Sequence, residues 1–100
     1  MKKYKIDSDG INKITYEDDL CTIIINVADF RDTCWWIAQT AAYDKRINKD
    51  CRVTNKQQVF LFKRIAYDCK QEEVFNEKLG FIKAKEYDIS KDEISIMEVV

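Results

Sequence analysis

The chain has no histidine, no proline and only 2 glycines in 100 residues. Without imidazole it lacks the commonest general base, leaving carboxylates, tyrosine or lysine for any proton transfer. The 4 cysteines, Cys21, Cys34, Cys51 and Cys69, include no C-x-x-C pair, and there is no histidine to complete a zinc site, so no metal is expected. Excess charge of either sign is missing too. With 17 basic and 18 acidic side chains the formal net charge is −1, so there is no global pull toward nucleic acid or anionic lipid. No apolar run is long enough to span a bilayer, and the basic opening Met-Lys-Lys-Tyr-Lys-Ile-Asp leads into no apolar segment. These features point to a cytoplasmic protein, in a cell or an infected host cell, with reduced and mostly buried thiols.

What is present fits one compact domain over residues 1–100 with a single core. Tyr4 to Ile6 reads as a short strand, and Asp9-Gly10 as a turn. Ile11 to Tyr16 returns, and Glu17-Asp18-Asp19 turns again into Leu20 to Val27. The consecutive β-branched residues Ile23, Ile24 and Ile25 suit a central strand covered on both faces. The first third therefore reads as an antiparallel meander.

From Phe30 to Lys45 the spacing predicts a helix. Asp29 can cap it, and Phe30, Cys34, Ile37, Ala38 and Ala41 share one face at 3.6-residue spacing. Trp36 and Tyr43 fall on the opposite side, which makes them candidate partner-binding residues. Thr54-Asn55-Lys56-Gln57 is a capping box that opens a second helix, whose apolar stripe is Val59, Phe62, Ile65, Ala66 and Cys69. A different face of that helix combines Phe60 and Tyr67 with Lys56, Lys63, Arg64 and Lys70. Aromatics beside cations suit either an acidic protein surface or single-stranded nucleic acid. Val59 to Phe62 can also be read as a strand.

Glu72 to Leu79 reads as a short third helix stopped by Gly80, with Phe81 folding back onto Phe75. Phe81 to Ile89 and Glu93 to Val100 then read as a closing hairpin. The expected fold is α+β, an antiparallel sheet of about five strands with two or three helices, in the order β-β-β-α-α-(α)-β-β.

Glu77-Lys78-Leu79-Gly80-Phe81, followed after a turn by Ile94-Ser95-Ile96-Met97-Glu98, resembles the C-terminal end of the GCN5-related (GNAT) N-acetyltransferases. The spacing of the Ile23 to Val27 strand, Phe30-Arg31 and the Thr33 to Lys45 segment is similar to that family's acetyl-CoA strand, aromatic-arginine pair and pyrophosphate-binding helix. The chain also looks like compact versions of the fold that some phages use as anti-CRISPR proteins. The resemblance implies acetyl-CoA as cofactor, with Arg31 near its pyrophosphate. Two positions depart from the family pattern. Arg31 to Trp36 holds no glycine but carries Asp32, and Asn76 stands where the family often has a tyrosine acid.

The expectation is therefore a small non-catalytic binding or inhibitor domain, with no catalytic residue and no cofactor. It would act on another protein, or on nucleic acid through Lys56, Lys63, Arg64 and Lys70, and could serve a phage or mobile element against host defence. The alternative is a compact acetyl-CoA-dependent acyltransferase.

Overall fold

In the computed structural model, which describes residues 2–100, one helix packs against one face of a seven-stranded mixed sheet. The strands are β1 (Tyr4–Ser8), β2 (Lys13–Asp18), β3 (Cys21–Phe30), β4 (Cys34–Asp44), β5 (Lys49–Cys51), β6 (Glu73–Asn76) and β7 (Gly80–Lys83), with α1 (Asn55–Asp68) between β5 and β6. They lie in the order β1-β2-β3-β4-β6-β7, and β5 pairs with the last residues of β4. All pairings are antiparallel except β4 with β6, which α1 connects in parallel.

The opening meander follows from its turns. Asp9 accepts hydrogen bonds from the Ile11, Asn12 and Lys13 amides at 2.8, 3.0 and 2.9 Å, beside Gly10 at φ +70°. Asp18 does the same for Leu20 and Cys21. β3 lies between β2 and β4, but it is covered on one face only: Cys21, Ile23, Ile25 and Val27 are buried, while Ile24 is half-buried on the far side.

The expected helix over residues 30–45 is instead the end of β3, a short connection and, from Cys34 to Asp44, strand β4. Its tryptophans, Ile37, Thr40 and Tyr43 are strand formers, and β3 offers a complete pairing partner. Irregularities in the pairing hide the strand period. Val27 pairs with Ile37 and Asn26 with Gln39, so Ala38 is an extra residue in β4; Asp29 pairs with Trp36, so Ala28 is an extra residue in β3. The inward set on β4 therefore changes phase, from Trp35 and Ile37 to Thr40, Ala42 and Asp44. That broken alternation mimics a helical spacing.

The two or three expected helices reduce to one. Thr54 Oγ1 accepts from the Gln57 amide at 3.1 Å and the Gln57 side chain accepts from Thr54 at 2.9 Å, so α1 starts with its capping box and residues 59–62 are helical. Glu72 to Leu79 is not a helix. Glu73–Asn76 is β6, drawn into extended form beside β4, and Gly80 at φ +80° serves a hairpin turn instead of a helix stop. The closing hairpin is also absent. After β7 the chain makes three short 3-10 turns, Ala84–Glu86, Ile89–Lys91 and Ile96–Glu98, the last two opened by side-chain caps from Asp88 and Ser95.

The core lies between α1 and the sheet. Leu61, Phe62, Ile65 and Ala66 meet Ile14, Tyr16, Ile23, Ile25, Val27, Ile37, Val74 and Ile82, and the C-terminal segment adds Ile96. Among the described residues no helix is long and apolar enough to cross a membrane.

Candidate interaction surface

No element among the described residues covers the sheet face opposite α1. Side chains alternate across a strand, so each outward position on β4, β6 and β7 shows its neighbour in register. Trp36 pairs with Phe75 and Phe75 with Phe81. The ring centroids stand 4.9 Å apart for Trp36 and Phe75 and 4.8 Å for Phe75 and Phe81, both tilted. Arg31, in the β3–β4 turn, caps the row with its guanidinium 4.3 Å from the Trp36 ring. It is also ion-paired to Asp29 at 2.8 Å.

This row is open to solvent. Phe81 is 59% exposed and Trp36 36%. At the two bulges stand the small side chains of Ala28 and Ala38, near the indole. They line an open hollow of about 620 Å³ together with Trp36, Gln39, Phe75 and Glu77. Tyr43 lies on the same face near the far end of β4, 38% exposed, its hydroxyl donating to Asn48 at 3.2 Å.

Trp36 and Tyr43 are thus on the surface, as outward residues of a strand and not as one side of a helix. Phe75 and Phe81 complete the patch, and sequence reasoning missed them as site residues. The signal was present in the expected Phe75–Phe81 contact, which in a hairpin becomes a cross-strand pair on an exposed face.

The aromatic-basic face of α1 loses its arginine to the interior. Arg64 is fully buried, so it cannot serve as an exposed partner-binding or nucleic-acid contact. Its guanidinium donates to Tyr16 Oη at 2.7 Å, Tyr87 Oη at 3.0 Å and the Lys91 carbonyl at 2.8 Å, and lies 4.3 Å from the Tyr4 ring and 4.7 Å from that of Phe60. Phe60 is half-buried and meets Tyr87 edge-on at 5.8 Å. Tyr67, 47% exposed, leans on Tyr87 at 5.3 Å. Lys63 is half-buried, and only Lys56 and Lys70 are fully at the surface. Of that face the structure withdraws Arg64 from solvent, while Lys56, Tyr67 and Lys70 stay exposed.

The two phenols that hold Arg64 each pass a proton donor on to a carboxylate. Tyr16 donates to Asp18 at 2.6 Å and Tyr87 donates to Asp92. Asp18 also accepts from Ser95 Oγ at 2.9 Å and the Ile96 amide at 3.0 Å. Burial pushes the Asp18 carboxyl up, but the hydrogen bonds from Tyr16, Ile96, Leu20 and Ser95 outweigh it and hold the group below its ordinary value. Burial raises the phenol of Tyr16 well above its ordinary value and also raises that of Tyr87, so both remain donors. The network is closed and satisfied, and ties residues 87–96 to the helix and the meander.

The remaining chemistry is quiet. All four thiols are free, with Cys21 buried and the others half-buried. Burial, with Asp18 nearby, pushes Cys21 up to about 12, and burial lifts Cys69 to about 11. Among the described residues no group of three or more Cys, Asp or Glu side chains is gathered as metal ligands would be. The segment aligned with a pyrophosphate-binding helix is strand β4, so Arg31 sits in the β3–β4 connection and not at a helix N-terminus. No protein-family model matches the sequence, and searches of curated proteins and of solved structures found no match either.

Proposed function

We infer that the chain is a non-catalytic binding domain that engages another protein through the uncovered face of its sheet. The observation that carries this reading is the in-register row Trp36, Phe75 and Phe81 with Arg31 at its end. Exposed rings gathered beside a hollow are an aggregation hazard unless something covers them, and Trp, Tyr, Phe and Arg are the residues that anchor protein interfaces. A protein partner fits better than nucleic acid. Arg31 is already paired with Asp29, Glu77 bounds the hollow, and among the described residues no line of cations tracks the row as a phosphate backbone requires.

An inhibitor borne by a phage or mobile element is the narrower form of this reading. It draws on the small size and on the resemblance alone. We place binding ahead of acetyl-CoA-dependent transfer because residues 31–36 form a turn and strand, without the helix N-terminus that would receive a diphosphate.

Site-specific photocrosslinking in the native host tests the reading. A benzophenone side chain at position 81 is expected to give a discrete adduct with a protein other than a second copy of this chain, and the same group at Lys63 on the helix side is not. Adducts from position 63 alone, or nucleic-acid adducts from position 81, would overturn it.

A further inference from the structure

The sheet has three edge strands, β1, β5 and β7. β1 carries Lys5 and Asp7 at exposed positions and follows Lys2 and Lys3, the charge that discourages edge-to-edge pairing. β7 reads Gly80-Phe81-Ile82-Lys83, with Ile82 buried beneath and Phe81 exposed at its middle.

The hydrogen-bonding phase of β7 follows from its flanks. Glu73 N–H donates to the Thr33 carbonyl, which turns the backbone of Glu73 and Phe75 toward β4. Ala84 N–H donates to the Glu72 carbonyl, and antiparallel pairs alternate, so Ile82 and Gly80 face β6 as well. Phe81 and Lys83 therefore direct their N–H and C=O groups away from the sheet. Among the described residues no other backbone group bonds to them.

We propose that β7 is a self-association edge, on which a second copy of this chain pairs its own β7 antiparallel about a two-fold axis at Ile82. In that register Phe81 lies opposite Lys83 of the partner subunit, and every outward N–H and C=O of both strands finds a partner. Slipping the axis to Phe81 sets Lys83 against Leu79 of the partner subunit, outside the strand, and wastes its backbone groups. A shift of odd step sets the outward Phe81 against the inward Ile82 of the partner subunit. The Ile82 register also places each Lys83 ammonium beside the exposed Phe81 ring opposite it, a cation–π pairing made twice by symmetry.

This pairing rests on edge geometry and does not depend on the protein-binding reading. The contact is smaller than the roughly 1,200 Å² of a stable interface, so the dimer is weak and concentration-dependent.

Sedimentation equilibrium from micromolar to millimolar protein tests it, with wild type expected to shift from monomer to dimer. Lys83→Pro removes an outward donor and leaves the β6–β7 bonds in place. It is expected to move the midpoint at least tenfold higher, with circular dichroism unchanged. Hydrogen exchange on the wild-type chain gives a second readout, with the Phe81 and Lys83 amides becoming protected only as concentration rises. A wild type that stays monomeric at millimolar concentration, or dimerisation without that protection, would overturn the proposal. Trp36→Ala leaves the edge intact, so a lost heterologous partner with an unchanged dimer bears on the binding reading alone.

Discussion

Trp35 and Trp36 are neighbours in the chain and face opposite sides of β4. Trp35 turns inward and meets Phe30 edge-on at a centroid distance of 4.8 Å, whereas Trp36 turns outward onto Phe75 at 4.9 Å. Phe30 reaches Trp35 only because the bulge at Ala28 changes the phase of β3 after Val27. One strand thus separates a ring that holds the fold from a ring that is free to bind.

That separation sets the first prediction. Trp35→Ala should lower unfolding free energy by about 2 kcal/mol, less than the roughly 3 to 5 of a fully buried aromatic, because Trp35 is half-buried against the core. Trp36→Ala should cost about 1 kcal/mol, chiefly the ring pair with Phe75. Urea titrations of both variants check this, and equal losses would contradict the assignment of faces.

Arg64 should tolerate little change. Its guanidinium serves two phenols and a carbonyl at once, which the single ammonium of lysine cannot match. Arg64→Ala is expected to cost about 3 to 5 kcal/mol, since it leaves buried polar groups without their donor. Thermal or urea unfolding measures it, and a loss under about 1 kcal/mol would mean the network is not structural.

Asp18 gives the fold a pH dependence. Its carboxyl lies below its ordinary value when folded, so the contribution is complete above the unfolded carboxyl range near pH 4 and is lost as pH falls toward the folded value. Stability of the wild type should fall across that acid window. Asp18→Asn should be less stable at pH 7 and show a shallower acid limb. Identical slopes for the two proteins would remove Asp18 as the cause.

The thiols should react in a fixed order. Cys21 is buried and pushed up to about 12, so at pH 8 a thiol reagent should reach it only on unfolding, and slowly reach the half-buried Cys34, Cys51 and Cys69. Four thiols should count in unreduced, denatured protein. Cys21 reacting as fast as the others in the native state would contradict its burial.

Some of this architecture is readable in the sequence and some is not, for physical reasons. The turns at Asp9 and Asp18 and the cap at Thr54 are local, since each side chain bonds backbone within a few residues. β4 is not local. Its alternation is broken at Ala38, and what decides its conformation is the β3 partner. Glu73–Asn76 is too short to declare itself, and Asn76 fixes the following turn by accepting from the Lys78 and Leu79 amides while its amide group donates to the Ile37 carbonyl. Arg64 looks like a surface cation until Tyr16 and Tyr87, distant in sequence, are brought around it. The aromatic row was hidden for the same reason: Trp36, Phe75 and Phe81 become neighbours only when three strands are in register.

The most direct test of the open face as the binding surface compares two exposed rings on opposite sides of the molecule. Calorimetric affinity for the protein recovered by photocrosslinking should fall by about 2 kcal/mol, roughly thirtyfold, on Phe81→Ala and stay unchanged on Tyr67→Ala. Full affinity in Phe81→Ala together with a comparable loss in Tyr67→Ala would place the partner on the helix side and contradict the assignment.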